Sequence, residues 1–201
     1  MSTVYLYDHL IHPVNREFNV YKQFESILKI KDFKNDLRLG SLVTNISRIN
    51  LNELVSFLKE YKMYDNNFDL GLGIGDNKYE QSHENGLVNL DEFISNLISE
   101  FIFQKNGLTL FLGGISEPIK RAALDYNLGR NIWKFHHKND LYAFSSDQKD
   151  IIGRNSICFS LSEMKDISLP SGFEEVILVI KDSSFRDYVK QLDNIKQWMI
   201  N

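Results

Sequence analysis

Asn50-Leu-Asn-Glu-Leu-Val-Ser-Phe-Leu58 and Asn89-Leu-Asp-Glu-Phe-Ile-Ser-Asn-Leu97 share five of nine residues, and each leads through a polar turn into an apolar run ending in glycine. In both, an asparagine stands where an N-cap belongs, and a glutamate three residues later completes a capping-box pattern. Leu51, Leu54, Val55, Leu58 and Tyr61 then fall on one side of a helix, as do Leu90, Phe93, Ile94, Leu97, Ile98, Phe101 and Ile102. That is the i, i+3, i+4, i+7 spacing of an amphipathic helix. The runs that follow, Phe68 to Ile74 and Leu108 to Leu112, are short and apolar like the buried strands of an α/β layer. With one residue of slippage, Asn67-Phe-Asp-Leu-Gly-Leu-Gly73 aligns with Asn106 through Gly113, and Asn35-Asp-Leu-Arg-Leu-Gly40 repeats the ending more faintly. Duplication produces such likeness, and so does convergence on ordinary capping and patterning. Either way, successive helix–strand units in one layer are expected.

Further along the chain, a third helix is expected from Ser116 to Leu128, with Pro118 in its first turn and Gly129 as its stop. A fourth begins at Ser184 and Asp187 and carries Phe185, Tyr188, Val189, Leu192 and Ile195 on one face. Asn131 to His136 and Leu141 to Ser146 flank Lys138-Asn139-Asp140 and predict a hairpin. Ile157, Phe159 and Leu161 alternate with Cys158 and Ser160 as a half-buried strand, and Glu175 to Lys181 forms another. The expected fold is a single domain over residues 1–201, α+β (mixed α/β) in class. It has one layer of mixed β-sheet flanked by about four amphipathic helices, more antiparallel in its C-terminal half.

Composition narrows the class. With 43% hydrophobic and 25% charged residues, the chain is an ordinary globular one, and 3 prolines and 11 glycines exclude a collagen-like or low-complexity chain. A single cysteine excludes an internal disulfide and suits a reducing compartment. The first residues, Met1 to Asp8, show no basic n-region or apolar h-region, so a cytoplasmic location without membrane contact is expected. The net charge of -4 hides an uneven distribution. From Glu60 to Glu92, eight acids face two bases; from Val20 to Arg48, six bases face three acids; from Lys105 to Arg154, eight bases face five acids. Two diluted basic regions and a pI near 5.7 do not make a phosphate-binding footprint, so direct nucleic-acid binding is not expected.

The motifs are few. Gly71-Leu-Gly-Ile-Gly75 lacks the G-x-G-x-x-G spacing of a dinucleotide loop and is followed by acids, so its glycines read as close packing. Asp65, Asn67, Asp69 and Asp76 have part of a calcium-loop spacing, but Leu70 stands where the turn needs glycine. His9, His12, His83, His136 and His137 are scattered, and Cys158 sits in an apolar strand pattern as a small hydrophobe. No metal site, no cofactor and no catalytic residue is assigned. Trp133, Phe135, Tyr142 and Phe144 suit a core, or an interface anchor beside Arg130, Lys134 and Lys138.

Two functions follow. The first is a non-enzymatic cytosolic protein-binding module, an immunity- or antitoxin-type inhibitor that neutralises a toxic partner such as a nuclease. Its docking residues would be Asp65, Asp69, Asp76, Glu80 and Glu84, whose field would steer a partner with a basic surface. The second is a small-molecule enzyme or anion-binding protein. It would use Gly113, Gly114 and Ser116, where small residues precede a helix N-terminus with free N–H groups.

Overall fold

In the computed structural model, which describes residues 3–6, 38–47, 49–63, 68–75, 89–101, 108–133, 154–160 and 173–179, seven strands lie side by side in chain order. They are β1 (Thr3–Leu6), β2 (Arg38–Asn45), β3 (Phe68–Gly73), β4 (Leu108–Gly113), β5 (Gly129–Trp133), β6 (Ser156–Ser160) and β7 (Glu175–Val179), and every neighbouring pair is parallel. Helices α1 (Leu51–Glu60), α2 (Leu90–Glu100) and α3 (Glu117–Asp125) connect β2 to β3, β3 to β4 and β4 to β5.

This order explains the shape. Each connection steps to the next strand in the same direction, and parallel crossovers share one hand, so the helices all fall on one face. That face carries Leu39, Phe68, Leu70, Leu72, Leu108, Leu110 and Leu112, buried under Leu54, Leu58, Phe93, Ile94, Leu97, Ile119, Ala122 and Ala123. The other face has no helix among the described residues and must cover its own apolar groups. It does so by curling into a half-barrel. Leu42, Phe111, Cys158 and Ile177 meet inside the curl, with Tyr5, Val43 and Trp133 packed against them. The curl brings β1 to β7, since the Tyr5 hydroxyl lies 3.3 Å from Glu175 Oε2 across 170 residues of sequence.

The glycine-rich strands serve this inner face. At Gly71 a Cβ would lie 2.5 Å from Phe111 Cζ, and at Gly40 2.6 Å from the Tyr5 ring, so the missing side chains let both rings lie against the sheet. The two rings meet edge-on at 6.0 Å.

Beside them, β2 bulges between Ser41 and Thr44, and the Leu42–Val43 peptide is cis. The buried Ser41 hydroxyl replaces the interrupted ladder: it accepts from Gly71 N–H at 3.1 Å and donates to Gly71 C=O at 3.3 Å. Ser41→Ala leaves a buried N–H and C=O without that partner, so unfolding by urea should show a loss of about 1–3 kcal/mol. A change near zero would mean the bulge finds its hydrogen bonds elsewhere.

The structure corrects the expected fold class. Among the described residues the sheet is all-parallel, not mixed, and three helices are present rather than about four. The hairpin expected at Asn131 is overturned: β5 pairs in parallel with β4 and β6. Its second arm, Leu141 to Ser146, and the helix expected after Ser184 lie outside the described residues. Helix α3 stops at Asp125 rather than running to Leu128 and the expected Gly129 stop, and Asn127 takes a left-handed turn at φ 52°. The asparagine caps are as expected. Asn50 accepts from Glu53 N–H at 2.8 Å in a closed capping box, and Asn89 caps α2.

Candidate functional site

In curled parallel sheets with flanking helices, ligands are bound at the carboxyl ends of the strands, where the loops leave the sheet. Among the described residues that edge includes Asn45 on β2, Gly73 on β3, Gly113 on β4 and Trp133 on β5, besides the ends of β1, β6 and β7. The β2 and β3 exits are tied together: Ile46 N–H donates to Gly73 C=O at 2.9 Å, and the Ser47 hydroxyl donates to Ile74 C=O at 3.1 Å. Val43 fills the space between Gly73 and Gly113, where a Cβ would lie 2.7 and 2.8 Å from its methyl groups.

At the β4 exit, Gly114 takes φ 121°, a backbone that L side chains rarely adopt. It is held at both polar groups. Its N–H donates to Asn131 C=O at 2.9 Å, and its C=O accepts from Arg130 Nη2 at 3.2 Å. Ile115 then anchors the turn against Ile132 and Ile157. Ser116 is the exposed N-cap of α3, and its hydroxyl makes no capping bond. The first intrahelical bond runs from Lys120 N–H to Ser116 C=O at 3.0 Å, so the N–H groups of Glu117 and Ile119 precede it and Pro118 has none. The expected anion residues Gly113, Gly114 and Ser116 are thus together in one turn at the carboxyl edge of the sheet.

Arg130 was missed as a part of this site. It is 1% exposed and lies behind the turn on the helix-covered side of β5, so it is no surface companion of the neighbouring aromatics. A signal existed, since Arg130 and Ile132 alternate with Asn131 and Trp133, which puts the arginine at an apolar register position.

Of the five acidic docking residues, Asp69 lies among the described residues. Asp69 points into the curl with 2% of its side chain exposed, gripped by Arg38 through Nε at 2.7 Å and through Nη2. Asp65, Asp76, Glu80 and Glu84 lie outside the described residues. Arg38 also donates to the Thr109 hydroxyl, and Tyr5 donates to Asp69 Oδ2 at 3.0 Å. Burial works against the Arg38 charge, but the hydrogen bond to Asp69 and its charge outweigh it and hold the guanidinium protonated. A shared pattern could have flagged the pair: Arg38-Leu39-Gly40 and Asp69-Leu70-Gly71 are each polar–leucine–glycine. Cys158 is fully buried, and burial pushes its thiol up to about 12, so it is a packing residue.

Fold and site define the class: a curled all-parallel α/β protein whose strand exits present a glycine turn and a helix start. No family model matches the sequence, and no curated protein matches it. Among solved structures, the crystal structure of apo-MsnO8 is similar, with a TM-score of 0.65 over 86% of this chain and 80% of that one, at 12% sequence identity. At that identity the likeness shows the fold alone. No helix among the described residues is long and apolar enough to cross a membrane.

Proposed function

We propose that the protein binds a small anion, or a small molecule carrying a phosphate-like group, at the Gly113-Gly114-Ile115-Ser116 turn. The observation that carries this reading is the buried Arg130 guanidinium hydrogen-bonded to the back of a turn whose front presents an uncapped helix start. A helix N-terminus carries roughly half a positive charge and unspent N–H donors. The Arg130 guanidinium stands behind it, donating to the Gly114 carbonyl. Glu117 works in the other direction, because its carboxylate occupies the first turn.

Titration of the full chain with inorganic phosphate, followed by amide NMR, tests the proposal. Saturable shifts are expected at Gly114 through Ile119. Glu117→Gln should tighten binding roughly two- to fivefold, the equivalent of about 0.3–1 kcal/mol for one charge at a helix terminus. Absence of saturable shifts in that turn, or shifts that ignore Glu117, would sink it.

The local excess of acids supports a second reading, an immunity- or antitoxin-type inhibitor docked to a basic toxin or nuclease. Asp69 is committed to Arg38, so this reading rests on Asp65, Asp76, Glu80 and Glu84. Replacing Asp76, Glu80 and Glu84 by lysine should remove such a partner from proteins captured in lysate of the native cell. An unchanged set of captured proteins counts against it.

A further inference from the structure

At the opposite, amino-terminal end of the curl, Tyr5 of β1 stands between two carboxyl groups. Its phenolic oxygen lies 3.0 Å from Asp69 Oδ2 on β3 and 3.3 Å from Glu175 Oε2 on β7. A phenol carries one hydrogen, so it cannot donate to both at once. Asp69 accepts from the Arg38 guanidinium on its other oxygen, which commits it to the acceptor role. Glu175 accepts on Oε1 from Arg154 Nη2 at 2.8 Å, but the Arg154 side chain is 45% exposed and its charge is shared with water. Two acceptors around one hydrogen leave a contact without a proton, unless a second proton is present.

We propose that Glu175 carries that proton and donates it to the Tyr5 oxygen while Tyr5 donates to Asp69, so that one shared proton clasps the two edge strands of the sheet. Among the described residues, the groups that face this chain are Arg38 from β2, Asp69 from β3, the Thr109 hydroxyl from β4, Arg154 ahead of β6 and Cys158 on β6. Burial, reinforced by the Asp69 charge and opposed by Arg154, by a hydrogen bond received from Tyr5 and by Arg38, lifts the Glu175 carboxyl above its ordinary value, and the proposal replaces that Tyr5 bond by one donated in the other direction. Burial, and after it the Asp69 charge, lift the Tyr5 phenol as well, so Tyr5 stays protonated throughout. The sign follows from linkage. A carboxyl that titrates higher in the folded chain holds its proton there while the unfolded chain has lost it. The clasp is therefore complete below the ordinary glutamate value and is lost as pH rises through the raised one. Above that point Tyr5 turns to Asp69 alone, Glu175 to Arg154 and solvent, and the seam between β1 and β7 loosens.

The test is a pH titration of the full chain with glutamate side-chain carboxyls labelled with carbon-13, alongside hydrogen-exchange protection of the β1 and β7 amides. One glutamate is expected to titrate above the others and to vanish from the spectrum in Glu175→Gln. In Tyr5→Phe its titration should move down, because a proton donated to the phenol loses its acceptor. Protection along β1 and β7 should fall through the same pH interval in the wild type and stay level in Glu175→Gln, whose amide still donates. Three results overturn the proposal: Glu175 titrating with the other glutamates, Tyr5→Phe raising it, or seam protection indifferent to its ionisation. The Tyr5→Phe result separates a shared proton from burial alone, which would leave the direction of that shift reversed.

Discussion

Gly129→Ala should destabilise the fold by about 3 kcal/mol or more, at the upper end of what overpacking costs. A Cβ at this position would lie 1.9 Å from the Arg154 carbonyl oxygen, 2.7 Å from its carbon and 2.9 Å from its nitrogen. All three are backbone atoms, so no rotamer change relieves the overlap. Moving Arg154 away would disturb its neighbour Asn155, whose side chain accepts from Arg130 N–H at 3.0 Å. The Asn155 carbonyl also accepts from Glu174 and Glu175 N–H, at 2.9 and 3.2 Å, so the starts of β6 and β7 would follow. Denaturant unfolding checks this, with Gly114→Ala as the comparison. There, among the described residues, a Cβ meets only Ile119 Cγ1 at 3.8 Å, and the cost is the backbone strain of φ 121°, of order 1–3 kcal/mol. A Gly129→Ala variant as stable as the wild type would mean that β5 and β6 are not packed in this way.

Arg38→Met should cost about 3–5 kcal/mol, the usual result of leaving one partner of a buried ion pair unpaired. The side chains of Arg38 and Asp69 are only 13% and 2% exposed, so water cannot replace the guanidinium. The damage should therefore come from the stranded charge and not from lost attraction. Removing both, in Arg38→Met with Asp69→Leu, is expected to recover most of the loss. A double-mutant cycle by urea unfolding measures this, and a double variant no better than the single one would place the cost in packing. The exposed pairs Lys59–Glu100 at 2.8 Å and Arg121–Asp125 at 3.5 Å supply the contrast. Exposed pairs of this kind contribute about 0–1 kcal/mol.

These two variants lie where sequence reasoning was weakest. Helices α1, α2 and α3 were legible because a cap and a 3.6-residue period are local, each contained within about ten residues. Strands β3, β4, β6 and β7 were legible as apolar runs of the right length. Strand β2 was legible only at its start, as the faint repeat ending at Gly40, since its bulge between Ser41 and Thr44 breaks the alternation that marks a strand. Strand β5 was read as one arm of a hairpin because Lys138-Asn139-Asp140 is a turn signal between two aromatic runs. Its neighbours in space are β4 and β6, which lie elsewhere in the chain.

The anion turn was legible as a loop with small residues before a helix. Its buried cation was not, because Arg130 becomes buried only when β5 takes its place beside β4. Likewise, a count of acids treats Asp69 as it treats Glu60, although one is sealed against Arg38 and the other faces water.

By itself, then, the sequence determined the three described helices with their apolar faces and four of the strands, because those properties arise from neighbours within a turn or two. Strand direction, strand order and the curl were decided only by the tertiary structure. Alternation of side chains is identical in parallel and antiparallel strands, so direction depends on crossovers that span tens of residues. Once every crossover leads the same way, the helices share one face, and the bare face must close on itself to bury Leu42, Phe111, Cys158 and Ile177. That closure is what sets Tyr5 against Glu175 and Gly129 against Arg154, contacts that no local pattern in the chain encodes.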